Sequence, residues 1–208
     1  MSNKLKRKSK RMEPVGFTKE ELKSVATVTK ARHNRAKFRE DAYQNLKLIA
    51  YQILHDKYGF GRKRVSVVND KVNGYIIAAD EEQALFKGMR VLLLEKWKID
   101  TAEEANMVPF RERFAISRYK CKEDSMQLGG SILLNSICDY FTLLGTCLKT
   151  QFHFSARQIK EVYAYIRDYI NTLSRYKQFE LKIEHIAESV AIECGYKDKR
   201  FIGENNGK

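Results

Sequence analysis

The stretch Ser155-Ala156-Arg157-Gln158-Ile159-Lys160-Glu161-Val162-Tyr163-Ala164-Tyr165-Ile166-Arg167-Asp168-Tyr169-Ile170-Asn171-Thr172-Leu173 decides the fold class. Ser155 and Gln158 stand three residues apart, the spacing at which each side chain reaches the other's backbone N–H at a helix start. Ile159, Val162, Tyr163, Ile166, Ile170 and Leu173 then recur every three or four residues, which places them on one helical face and fits no alternating strand. Tyr165, Tyr169 and Tyr176 fall along one edge of that face. Their half-polar rings suit the rim of a core. Stacking on unpaired bases is the other use for such rings, and few cations stand nearby to support it.

The same periodicity extends in both directions, and only Pro14 and Pro109 interrupt the chain. The expectation is an all-α helical bundle. Thr18 and Glu21 cap a helix over 18–58 whose apolar face is Ala42, Leu46, Ile49, Ala50 and Ile53. A second helix is expected over 62–72, with Val65, Val68 and Val72 inward and Asn73-Gly74 as its stop. Asp80 and Gln83 cap a third to about residue 98, with Leu85, Met89, Leu92, Leu93 and Trp97 in the core. Thr101 and Glu104 open a short turn, and Pro109 begins a helix to about residue 119. A long apolar helix over 125–149 forms the centre, with Gly129, Gly130 and Gly145 allowing close contact. The last helix covers 179–194 and buries Leu181, Ile186, Val190 and Ala191, with Gly195 as its stop.

The chain has 208 residues and a formal charge of +13. Residues 1–64 hold 18 Lys+Arg against 6 Asp+Glu, whereas residues 65–208 are nearly balanced at 21 against 20. This asymmetry describes a basic segment on a near-neutral body and makes polyanions the first partners to consider. Four parts are expected: a flexible basic arm over 1–16, a basic helical segment over 17–78, a bundle body over 79–197 and a flexible tail over 198–208. No apolar run follows the basic start, so a cytoplasmic protein is expected. Cys121, Cys138, Cys147 and Cys194 lack metal-ligand spacing and read as reduced packing residues. The apolar window 131–148 contains Asn135 and Asp139, which favours a buried helix over a membrane span.

Lys30, Arg32, Arg35, Lys37 and Arg39 place five cations within ten residues, and Phe38 is the only large apolar residue between Thr29 and Asp41. At about 100° per residue Arg32, Arg35 and Arg39 form one stripe. Planar guanidinium groups can engage two phosphate oxygens at once, so this stripe is a candidate backbone contact. A solvated face or a protein contact is the alternative.

The turn Tyr58-Gly59-Phe60-Gly61-Arg62-Lys63-Arg64-Val65 is the second candidate. It resembles the hairpin of helix-hairpin-helix nucleic-acid-binding modules, in which Gly-apolar-Gly precedes a basic helix start. The resemblance spans about 25 residues, with Tyr58 where that family has proline and Val65 where it has alanine. It implies that Gly59 and Gly61 shape the hairpin, Phe60 plugs the core and Lys63 approaches the phosphate, while Arg62 and Arg64 beside it are further candidate nucleic-acid contacts. A plain helix connection with Gly59 as C-cap reads the same residues without a ligand. The run from Ile53 to Arg64 is also similar to a segment of small helical proteins of Firmicutes prophages, which implies a phage context and no particular chemistry.

Catalytic patterns are thin. His55-Asp56 is an HD dipeptide without further spaced ligands, and Glu180-Leu181-Lys182 has nuclease-like spacing in a helical context. No phosphate-binding glycine loop or nucleophile elbow occurs. The expectation is therefore a non-enzymatic phage accessory protein that binds DNA or RNA backbone, with no catalytic residue, cofactor or metal. An anti-CRISPR-like inhibitor of a host nucleoprotein effector is the competing reading. Oligomeric state is left open.

Overall fold

The computed structural model describes residues 19–119 and 123–201, which form helices and loops with no strand among them. Eight α-helices follow in order: α1 Lys19–Tyr58, α2 Arg62–Glu81, α3 Gln83–Trp97, α4 Thr101–Asn106, α5 Met126–Phe152, α6 Ala156–Ser174, α7 Tyr176–Phe179 and α8 Ile183–Glu193. Short 3₁₀ turns occupy Glu112–Ile116 and Glu123–Ser125. The chain is an all-α bundle. It divides into two compact units at Ala36/Lys37. Residues 19–36 are helical throughout, and the expected arm over 1–16 lies outside the described residues.

The unit from Lys37 onward contains one core. In α1, every residue over 41–54 except Gln44 is buried, so this segment is enclosed all round rather than on the single face expected. Several polar side chains there bond to neighbouring elements, which offsets part of the cost of burial. Asn45 donates to the Ile116 carbonyl at 3.1 Å, Tyr51 to Asn69 at 3.2 Å, and Lys47 to Asn73 at 2.5 Å. Burial holds the Lys47 ammonium below its ordinary pKa.

The α5 helix packs against α2, α3, α4 and α6 and is the second central rod. It is long and apolar enough to cross a membrane, yet most of it is buried inside the fold. Ser136, Thr142 and Thr146 occupy buried positions because each hydroxyl donates to the carbonyl four residues earlier. At Gly145 an added Cβ would lie 2.0 Å from the Tyr163 hydroxyl oxygen. Tyr163 stacks on Phe141 at 4.2 Å between centroids and donates to its carbonyl at 2.5 Å. The α6 capping box and all six apolar positions of its face stand where the sequence places them.

Several boundaries differ from expectation. The α2 helix runs through Asn73-Gly74 to Glu81, so the expected division between 78 and 79 falls inside a helix. Asn73 is held in place by Lys47 and Asn69 and does not act as a stop. The turn before α3 centres on Glu82, without a side-chain cap. On α3, Met89 and Leu93 are buried, Trp97 is half-buried, and Leu85 and Leu92 are exposed. Asp100, rather than Thr101, caps α4, accepting from Ala102 and Glu103. Thr101 is buried against Thr142 at 2.9 Å.

The segment after Pro109 forms only a 3₁₀ turn. The expected last helix is split by Glu180, whose φ of 53° closes α7 before α8 begins. Leu181 and Ala191 are half-buried, while Ile186 and Val190 are buried as expected. The expected flexible tail is packed as far as it is described. Arg200 binds both Asp198 and Asp41, and Phe201 lies against Arg118 and Arg200.

Candidate nucleic-acid interface

The first basic segment lies on α1. Lys30 and Arg32 are helical in backbone, and their side chains lie outside the described residues. Arg35 and Lys37 are exposed. Phe38 is buried and fastens the helix to the body at this point. Arg39 behaves differently: its guanidinium donates to Asp139 at 2.9 Å and lies 5.5 Å from the Tyr43 ring centroid. The protein's own carboxylate therefore holds Arg39, which corrects its expected place in an outward-facing phosphate stripe. About half of the side chain remains exposed. Asp139 is mostly enclosed, and burial raises its pKa despite Arg39 and Arg90 beside it.

The second segment is the connection from α1 to α2. Gly59 adopts φ +64° and closes α1, with its N–H donating to the His55 carbonyl at 3.0 Å. A side chain at this φ is strained, so glycine is required there. Gly61 is different. It has φ −83° and ψ −175°, an extended conformation open to any residue, with open space where a Cβ would stand. Of the two glycines expected to shape the hairpin, only Gly59 adopts a conformation that requires glycine.

Phe60 is 2% exposed and packs against Phe152 and Phe154 at 4.8 and 6.0 Å between centroids. Its burial stabilises the turn by roughly 2 to 3 kcal/mol. Beyond it, α2 begins with Arg62, Lys63 and Arg64, all exposed, with no acidic residue in the first turn and no side-chain cap. The first regular bond here is Val65 N–H to the Gly61 carbonyl at 3.1 Å. The preceding N–H groups have no carbonyl within the helix and point out of its positive end. Arg64 lies 5.5 Å from the Phe60 ring, and Arg62 runs along Gly195.

Lys37 and Tyr58 mark the two ends of the buried part of α1, about 30 Å apart at 1.5 Å per residue. Lys37 therefore stands well apart, along α1, from the second basic segment that follows Tyr58. Among the described residues, Lys37, Arg62, Lys63 and Arg64 make no ion pair, whereas Arg90, Arg118, Arg167 and Arg200 each hold an Asp or Glu.

The other sequence candidates fall into place around this. Tyr165 and Tyr169 donate to Glu161 and Asp56 at the core's rim, and Tyr176 is exposed. Cys138, Cys147 and Cys194 are buried thiols, and Cys121 lies outside the described residues. Burial pushes Cys147 up to about 12 and Cys194 up to about 11, which keeps both protonated and poorly nucleophilic. Glu180 sits in a left-handed loop position, not on a strand. Sequence reasoning missed the grouping of Glu193 with His55 and Asp56. No sequence spacing signals it, because α8 brings it across the fold. Comparison of the chain with family models, curated proteins and solved structures finds no match.

Proposed function

We propose that the protein binds the backbone of DNA or RNA as a non-enzymatic phage accessory protein. The uncapped, cation-rich N-terminus of α2 is the observation that carries this reading. Exposed main-chain N–H groups, the positive end of the helix dipole, and Arg62, Lys63 and Arg64 converge there on one kind of ligand, an oxyanion. Lys37 adds a second contact at the far end of the buried part of α1, and Arg35, on the preceding unit, is a further candidate. Contacts of this kind recognise phosphate and position the protein without reading bases.

The test is a salt titration with non-specific duplex DNA and single-stranded RNA, followed by fluorescence anisotropy. Each neutralised duplex phosphate contributes a slope of about −0.9 to log K against log salt. A slope steeper than about −3 supports the reading, and a flat response overturns it.

A second reading, docking onto a host nucleoprotein effector and occlusion of its nucleic acid, draws support from exposed apolar side chains on α3. Leu85, Val91, Leu92 and Leu94 are all accessible there, a composition suited to protein contact. Co-purification of an effector that survives nuclease treatment distinguishes it.

A further inference from the structure

The last turn of α1 and the last residue of α8 meet at a small polar cluster. The ligand-type atoms of His55, Asp56 and Glu193 all lie within 4.8 Å of one another. We propose that these three side chains form a site for a divalent transition-metal cation, Zn²⁺ or Mn²⁺, that clamps the C-terminal ends of α1 and α8 together. The inference is independent of the nucleic-acid reading.

The state of the imidazole is the first support. His55 Nδ1 lies 3.1 Å from the Phe60 carbonyl, which can only accept, so Nδ1 carries the hydrogen. Nε2 then faces Glu193 Oε2 at 3.6 Å. A backbone carbonyl that fixes the tautomer and presents Nε2 is also the usual outer support of a metal-bound histidine.

Electrostatics is the second. In a chain with 39 Lys+Arg, neither Asp56 nor Glu193 pairs with a Lys or Arg among the described residues. Both carboxylates stand at helix C-termini, where the dipoles add further negative potential. One nitrogen and two carboxylates make a mixed donor set suited to Zn²⁺ or Mn²⁺.

Gln52 supplies the third support. It is 8% exposed, and its Nε2 donates to Asp56 at 2.9 Å and to Glu193 at 3.1 Å. Its Oε1 is buried and has no hydrogen-bond partner. The amide nitrogen thus bridges the two carboxylates and holds them at one spacing, as the outer supports of a metal site do. Gln52, Tyr169 and Ser189 each bond to a carboxylate of the cluster and also line a cleft of about 460 Å³. The site is therefore reachable from solvent.

The test uses the full-length chain after chelator treatment, titrated calorimetrically with ZnCl₂ and with MnCl₂. Saturable binding of one equivalent of either ion is expected. The double variant Asp56→Asn/Glu193→Gln keeps side-chain size, and it is expected to weaken binding at least about tenfold. His185→Ala, a cleft residue outside the cluster, is expected to leave binding unchanged. Absence of saturable binding by the wild type up to about 1 mM, or less than a tenfold loss in the double variant, overturns the proposal. Should that variant lose its helical circular dichroism, His55→Gln is read by the same criterion. Bound ion is also expected to raise the wild-type melting temperature, because a ligand held only by the native state stabilises it.

Discussion

Arg39 and Asp139, one hundred residues apart in sequence, form an ion pair at 2.9 Å, and Arg90 meets the other oxygen of the same carboxylate at 3.2 Å. This contact joins α1 to α5 and separates Arg39 from its neighbours in role. Replacing it therefore affects folding. Arg39→Ala is expected to cost about 0.5 to 1 kcal/mol, because the arginine is half-exposed and Arg90 remains. Lys37→Ala is expected to leave stability unchanged. Urea denaturation of the two variants checks both outcomes.

The triple variant Arg62→Ala/Lys63→Ala/Arg64→Ala tests the α2 end of the interface. If these cations neutralise three phosphates, the salt slope becomes shallower by roughly 3 units. The melting temperature is expected to move little, since the side chains are exposed and unpaired. Anisotropy across a salt series, beside a thermal melt, measures both quantities.

Asp41 is 3% exposed and accepts from the Arg118 N–H at 2.7 Å, Arg118 Nε at 3.1 Å and Arg200 Nη1 at 2.8 Å. It ties α1 to both the segment after the 3₁₀ turn and the C-terminal segment. Asp41→Ala leaves those donors without their acceptor and is expected to cost about 3 kcal/mol, read as a shift in the urea midpoint.

Asp198 gives the protein an acid-sensitive fastening. Burial alone would raise its pKa, but hydrogen bonds and charge from Arg200 outweigh this and hold it below its ordinary 3.8. A carboxyl depressed in the folded state stabilises fully above its unfolded value. That contribution is lost as pH falls through the folded value. Stability is therefore expected to drop below about pH 4, and more steeply in the wild type than in Asp198→Asn. Denaturant midpoints between pH 2 and 7 measure the difference.

Two glycines on helices are expected to respond in opposite directions. Gly88→Ala enters open space in α3 and is expected to stabilise by up to about 1 kcal/mol through helix propensity. Gly145→Ala meets the Tyr163 hydroxyl and is expected to destabilise by about 1 to 3 kcal/mol. Thermal melts of both variants decide the matter.

Local signals were legible wherever the determining groups are close in sequence. The Ser155-Gln158 box, the α6 face, the length of α5 and the left-handed close of α1 at Gly59 depend on neighbours within a turn or two. Signals failed where a distant partner overrides propensity. Asn73-Gly74 resembles a helix stop, yet Lys47 and Asn69 hold Asn73 within α2. Leu85 and Leu92 carry an apolar pattern without a described helix to cover them.

The amino-acid order by itself determined the helical class, the amphipathic faces and the crowding of cations into the first third, because period, composition and charge are properties of the chain. Tertiary structure alone decided which charges are spent internally. Arg39 stands in the same basic run as Arg35 and Lys37, and only the fold of α5 brings Asp139 to it. In the same way α8 carries Glu193 to His55 and Asp56. Coulomb forces act through space, and the folding of the helices sets those distances.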